Sequence, residues 1–253
     1  MLSVARDLQR RHARERHGLF VAEGVRTVAE LLSSQLHIRG ALTVSSTDVA
    51  PPESLLATLR ERGIPVQEVT AAEFSSAAGT ETPQGILAIA EVPRHDLTTL
   101  PLAERFRLII LDAVQDPGNV GTIVRTAAAL GAAAILSLPG TVDLWNAKVV
   151  RSSMGALFHH PTLACTWEEL TSFRSRHQVS LWGADPAGES LASVARASAE
   201  IPGRLAIAVG NEGSGLSAQT RQSAEKLVSV EIAASVESLN VAVATGILLY
   251  QLR

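Results

Sequence analysis

This chain is short of features on which several classes of protein depend. Among its 253 residues there is one cysteine, Cys165. That excludes an internal disulfide and any multi-cysteine metal site, and it fits a reducing compartment. No His, Cys or carboxylate spacing resembles a metal site, although His159 adjoins His160 and His12 and His17 lie close together, so no metal is expected. The longest apolar stretch, Leu239 to Leu249, is too short for a bilayer, which takes about 20 residues, and reads as a buried helix. No membrane association is therefore expected. The opening residues are arginine-rich without a following apolar block, so no secretory leader is expected and the cytoplasm is the simplest address. Basic charge is lacking in bulk: the net charge of -3 is the reverse of the usual nucleic-acid-binding signature. Lysine occurs only at Lys148 and Lys226.

What is present is ample core, with 46% hydrophobic residues, enough for one large domain or two modest ones. Charge is also unevenly placed. Arg6, Arg10, Arg11, Arg14, Arg16 and Arg26 crowd the start against Asp7, Glu15 and Glu23. They form either a patch that steers a polyanion or a solvated helix face with local ion pairs. After this helical opening, short strands are expected at residues 41–44, 65–69 and 86–90, with a helix over 55–62 between the first two. This is the pattern of a small α/β domain. Residues 91–105, with Pro93 and Pro101, have linker composition, and the boundary is placed near residue 97. Beyond it, strands at 108–111, 134–136, 180–183, 205–209 and 227–230 alternate with helices, as in a parallel sheet covered on both faces. A dinucleotide-binding domain would need G-x-G-x-x-G after the first of these strands; Asp116-Pro117-Gly118-Asn119 stands there instead.

The apolar run Leu205–Val209 is followed directly by Gly210-Asn211-Glu212-Gly213-Ser214-Gly215-Leu216-Ser217. Glycines and a carboxylate at the C-terminal end of a buried parallel strand mark the place where open α/β sheets bind ligands. The bland alternative is a strand-to-helix turn with Ser217 as N-cap. Near the first strand, Asn119 is an expected N-cap for a helix running to about Leu130, stopped by Gly131. Arg125 lies off that helix's apolar stripe, on one face with Gly121. Asp143, Trp145, Asn146, Lys148, Arg151 and Ser152 are candidates for contact with a polyanion or for a surface helix.

Three segments, residues 111–126, 210–217 and 236–244, resemble in order and wording the motifs of the SpoU (TrmH-like) branch of the SPOUT RNA methyltransferases. Residues 18–24 and 82–88 are similar to the opening and closing segments of the small substrate-binding domain in two-domain members. The resemblance implies an RNA substrate-binding α/β domain over residues 1–97 and a methyltransferase domain over 98–253. The latter would have a parallel sheet, a C-terminal trefoil knot and a homodimer that completes the active site. It implies S-adenosyl-L-methionine as cofactor and a ribose 2′-hydroxyl of RNA as acceptor, with rRNA favoured over tRNA by the added domain.

By matching positions, the resemblance assigns Asn119, Arg125, Glu212, Ser238 and Asn240 to catalysis and Gly210, Val230 and Leu239 to the cofactor. Arg125 is expected nearest the acceptor hydroxyl. A guanidinium stays protonated at working pH, so gripping phosphate and stabilising the developing alkoxide is as physical a role as acting as base. Glu212 could pair with Arg125 or orient Asn119, and Ser238 could cap the last helix or touch substrate. The chain departs from the family at Val230-Glu231-Ile232 and Ala234, where Ile-Pro-Met and a glycine are usual. That departure is the feature favouring a non-catalytic RNA-binding or ribosome-associated protein as the alternative.

Overall fold

The fold is taken from a computed structural model, which describes residues 1–45, 50–197 and 201–252. The chain divides into two compact units: Met1–Arg94 with Trp145–His159, and His95–Leu144 with His160–Arg253. One break between the units falls at residue 94. Residues 145–159, expected in the second domain, pack within the first unit.

The first unit carries a four-stranded sheet in the order β1 (Leu19–Glu23), β4 (Ile86–Glu91), β2 (Ile38–Val44), β3 (Val66–Val69). The β1–β4 and β4–β2 pairs are antiparallel and β2–β3 is parallel. The arginine-rich opening holds two short helices, α1 (Leu2–Asp7) and α2 (Arg11–His17), and Gly18 at φ +62° turns the chain out of α2 straight into β1. A left-handed residue at that point favours glycine. Leu8, Val21, Leu42, Phe74, Leu87 and Ile89 belong to one core cluster.

Residues 145–159 join this unit through aromatic packing. The ring of Phe20 lies 4.5 Å from that of Trp145 and 5.8 Å from that of Phe158. The short helix α7 (Ala147–Ser152) brings Arg151 Nη1 to 3.4 Å from Glu23 Oε2. Glu23, only 2% exposed, also accepts from the Gly79 N–H at 2.8 Å and from the Thr80 hydroxyl. A buried carboxylate requires such partners. Trp145 is therefore a core residue of this unit, and Arg151 is the ion-pair partner of its buried carboxylate.

The N-terminal arginines are also engaged locally. Arg10 pairs with Asp7, Arg11 Nε donates to Glu15 at 2.7 Å, and Arg6 Nε donates to Ser76 Oγ at 2.7 Å. Arg14 is buried and donates to the carbonyls of Leu8 and Gln9 at 2.7 and 3.0 Å. Arg10 and Arg11 thus take part in local ion pairs, and Arg14 is structural.

In the second unit, six strands form a wholly parallel sheet in the order β10 (Lys226–Ser229), β8 (Ser180–Ser190), β9 (Arg204–Gly210), β5 (Phe106–Asp112), β6 (Ala134–Ser137), β7 (Thr162–Ala164). The apolar runs of β5 and β9 sit side by side at its centre, where strands buried on both faces belong. From β5 the chain winds one way through β6 and β7, then resumes on the other side with β8 and β9. The direction of winding thus reverses between β5 and β9, which opens a crevice beyond their carboxyl ends. All three motif segments converge there.

Two further features shape that end. Gly183 pairs with Leu227, but the next residue of β10, Val228, pairs with Glu189, so the register shifts and residues 184–188 of β8 have no partner in β10. The last helix, α11 (Val241–Leu252), packs against α6 (Pro117–Ala129), and a Cβ on Gly246 would stand 3.3 Å from Thr126. It is not buried all round as expected: Val243 and Tyr250 are 51% and 57% exposed. No helix among the described residues is long and apolar enough to cross a membrane.

Candidate active site

The α6 helix begins with Asp116 as N-cap and Pro117 at its first position, where a missing N–H costs nothing. Asp116 Oδ1 accepts from the Asn119 N–H at 2.9 Å. Asn119 is therefore not the cap that was expected. It stands in the first turn, and its side chain is free for other work.

That work is with Glu212. Asn119 Nδ2 donates to Glu212 Oε1 at 2.9 Å, and the same carboxylate accepts from the N–H groups of Asp116 at 3.1 Å and Gln115 at 3.2 Å. Partial burial pushes the Glu212 carboxyl up. Hydrogen bonds from the Asn119 side chain, and from the N–H groups of Glu212 itself, Gln115 and Asp116, outweigh it and leave the group below its ordinary range. Asn240 Nδ2 in turn donates to Asn119 Oδ1 at 2.8 Å, while Asn240 Oδ1 accepts from Ala242 and Val243 and so caps α11. Glu212, Asn119 and Asn240 form one hydrogen-bonded chain, although 93 and 121 residues of sequence separate the donors from their acceptors.

This arrangement decides two open readings. Glu212 orients Asn119 and does not pair with the Arg125 of its own chain. Asn240, not Ser238, caps the last helix.

The glycine loop is stapled to the neighbouring strand. Asn211 and Gly215 exchange backbone hydrogen bonds at 2.9 Å in both directions, and a Cβ on Gly210 would fall 2.2 Å from the Gly215 carbonyl carbon. Only glycine tolerates that approach. Asn211 Oδ1 accepts from Gly213 and Ser214, and its Nδ2 donates to the Ala113 carbonyl at 3.0 Å. Asp112 Oδ2 accepts from the Ser217 N–H at 2.7 Å, and Ser217 caps the short helix α10 (Ala218–Ser223). Both residues that fasten the loop, Asp112 and Asn211, were missed from sequence; a polar residue at the buried end of an apolar strand was the available signal.

Behind this loop lies a cavity of about 550 Å³. Gly210, Glu212, Val230, Ser238, Leu239 and Asn240 line it, so the three expected cofactor residues and three of the five expected catalytic ones share one space. The unpaired stretch of β8 adds Ala184, Asp185 and Pro186 to the lining. The volume, the mix of apolar and polar lining and the bare backbone at Gly210 suit a nucleoside-sized ligand. Among the described residues, no group of three or more His, Cys, Asp or Glu is placed to hold a metal ion.

Arg125 stands apart. It lies six residues beyond Asn119 on α6, about 9 Å along the axis and about 120° around it. It is exposed and does not line the cavity. Among the described residues it has no hydrogen-bond or ion-pair partner.

Comparison with known proteins agrees with this geometry. A family model described as the SpoU rRNA Methylase family matches residues 107–250, and one described as an MRM3-like substrate binding domain matches residues 4–88. The chain is 35% identical over 248 residues to the Bacillus subtilis (strain 168) 23S rRNA (guanosine(2553)-2'-O)-methyltransferase RlmP, covering 97% of this chain and 93% of that protein. It is 31% identical to a Streptomyces viridochromogenes 23S rRNA (uridine(2479)-2'-O)-methyltransferase, over 96% of this chain and 85% of the relative. Among solved structures, an AdoMet-bound rRNA methyltransferase from Sinorhizobium meliloti superposes with a TM-score of 0.85 at 28% identity, covering 100% of this chain and 93% of that one. The SpoU methyltransferase AviRb from Streptomyces viridochromogenes, in complex with AdoMet, gives 0.85 at 26%, covering 99% and 95%.

Proposed function

The chain belongs to the SpoU rRNA methylase family, and from that premise we propose that it methylates a ribose 2′-hydroxyl of 23S rRNA with S-adenosylmethionine as donor. The observation that carries the proposal is the convergence of Glu212, Asn119 and Asn240 into one hydrogen-bonded chain beside the cavity that Gly210, Val230 and Leu239 line. Both relatives described above are named for 23S rRNA, which supports rRNA over the tRNA alternative. Work on rRNA would be done in the cytoplasm.

The cofactor, when bound, supplies a methyl group on a sulfonium that is already a good leaving group. What remains for the protein is alignment of the acceptor and management of its proton. Backbone groups at Gly210, Val230 and Leu239 hold the adenosine part, a task that survives the departures at residues 230–234 because it depends on main-chain atoms. Glu212 fixes the Asn119 amide through one bond and the start of α6 through two more, so the asparagine is presented in a single orientation. Asn240 has its acceptor committed to the α11 cap and its donor to Asn119, and Ser238 is free to meet substrate.

Arg125 is the acceptor-side residue, gripping RNA phosphate and stabilising negative charge on the attacking oxygen. Its place outside the cavity of its own subunit supports a homodimer in which each copy lends Arg125 to the other's site. The exposed apolar Val243 and Tyr250 of α11 are the surface such a partner would cover. The knotted cofactor loop belongs to the same reading.

The test has two arms. S-Adenosylmethionine titrated into the purified protein should bind saturably, and the absence of binding at millimolar ligand would favour the non-catalytic scaffold. Mixing an Arg125→Ala copy with an Asn119→Ala copy should restore methyl transfer that neither has alone, because the mixed dimer holds one intact composite site. No restoration after verified subunit exchange would defeat the shared site.

A further inference from the structure

The cavity beyond β9 carries ionisable side chains of one sign. Asp185, Glu212 and Glu237 line it, and none of the lining residues is Lys, Arg or His. The three are not equivalent. Asp185 is 5% exposed and forms an ion pair with Arg221 of α10, which is not part of the lining, while its Oδ1 accepts from the Ala187 N–H at 2.9 Å. A carboxylate so paired presents little net charge.

Glu212 receives its hydrogen bonds from neutral amides, so its charge is solvated without being cancelled. Glu237 is exposed on the segment that leads to α11 and has no ion-pair partner among the described residues. Within one chain, two negative charges without an ion-pair partner therefore border the space, and the Arg125 that a second copy would lend is assigned to the acceptor side.

Donor and product differ in one respect that such a space can sense. S-Adenosylmethionine carries a positive sulfonium. When the acceptor oxygen forms its bond to the methyl carbon, the carbon–sulfur bond breaks and its electron pair stays on sulfur. The hydroxyl proton passes to base or solvent, and what remains, S-adenosylhomocysteine, is a neutral thioether of nearly the same shape. The reaction removes the sulfonium charge and leaves the α-ammonium and α-carboxylate of the amino-acid part unchanged, so the charge on sulfur is the electrostatic difference the carboxylates can sense.

We propose that the acid-only lining, with Glu237 as the adjustable residue, makes this cavity select the sulfonium donor over the thioether product, so that product leaves after transfer instead of blocking the site. This inference rests on the methyltransferase reading given above. Opposite unit charges about 4 Å apart in bulk water attract enough to change affinity about fivefold, and more where the dielectric is lower. The lost methyl also removes contact area, a contribution that Glu237→Gln leaves unchanged, so the substitution isolates the part due to charge.

The experiment is calorimetric titration of the full-length protein with three ligands: S-adenosylmethionine, S-adenosylhomocysteine, and sinefungin, whose protonated amine stands in place of the sulfonium. The native protein should bind both cations more tightly than the thioether. Glu237→Gln should weaken the cations about fivefold at low salt and the thioether less than twofold, and added salt should narrow the gap. Product affinity equal to or above that of both cations in the native protein would overturn the inference, as would equal weakening of all three ligands by the substitution. Either result leaves the methyltransferase reading standing, whereas saturable binding of none of the three would overturn both.

Discussion

Glu212→Ala tests the centre of the site most directly. The native carboxylate accepts from the Asn119 amide and from the N–H groups of Gln115 and Asp116. Hydrogen bonds to a charged group contribute about 1.5–3 kcal/mol each when buried. This carboxylate is largely accessible, so water replaces much of what is lost, and about 1–2 kcal/mol in total is the expected cost. For a chain of this size that lowers Tm by roughly 2–8 °C.

Activity should fall much further than stability, because Asn119 keeps only its bond to Asn240 and loses its fixed orientation. A decline of about 100-fold in kcat/KM is expected, corresponding to roughly 2.7 kcal/mol. The pH dependence carries a sign. The Glu212 carboxyl lies below its ordinary value in the folded state, so its stabilisation is fully present above the unfolded-state value. It is lost as pH falls through the depressed folded value. The Tm gap between native protein and variant should be constant from about pH 6 to 8 and close as pH drops below about 4. Thermal unfolding at a series of pH values measures it. A gap that stays open under acid, or a variant that keeps native kcat/KM, would refute the assignment of Glu212 as the group that positions Asn119.

Arg125→Ala should reduce methyl transfer by about 100-fold or more while changing cofactor affinity less than twofold; equal loss of both, by titration and turnover, would place it on the donor side. Gly210→Ala drives a Cβ into the Gly215 backbone, so the folded variant, checked by circular dichroism, should lose cofactor binding at millimolar ligand. Arg151→Ala leaves the buried Glu23 with two neutral donors and no cation, and should cost about 1–3 kcal/mol in denaturant unfolding, at the low end of what breaking a buried pair does. An unchanged unfolding midpoint would show that the Gly79 and Thr80 bonds suffice.

The parts legible in sequence were those where burial alone decides the local structure. Leu108–Leu111 and Leu205–Val209 read as buried strands, and they are the neighbouring central strands β5 and β9. The convergence of Asn119, Glu212 and Asn240 was legible only through the wording of three motifs, since no local pattern links residues so far apart. β1 was hidden because its five residues follow an arginine-rich helical stretch after a single glycine, and β7 is three residues long.

Capping was misplaced at Asn119 and left open at Ser238 for the same reason. Asp116 and Asn119, and likewise Ser238 and Asn240, are competing cap residues within a few positions, and the winner is set by where the helix begins in space. Proline following Asp116 was the overlooked signal in the first case. Trp145 and Arg151 looked like surface residues because their partners, Phe20 and Glu23, lie more than a hundred positions away.

One consequence of the chain's passage through its first unit concerns chimeras. Exchanging RNA specificity between relatives by grafting residues 1–94 as a single cassette would bring in a new Phe20 and Glu23 while the host kept its own Trp145, Phe158 and Arg151. Residues 145–159 must travel with the graft, so a working exchange needs two crossover segments spliced on either side of β5 and β6, and hybrids built with one junction should misfold at that aromatic seam.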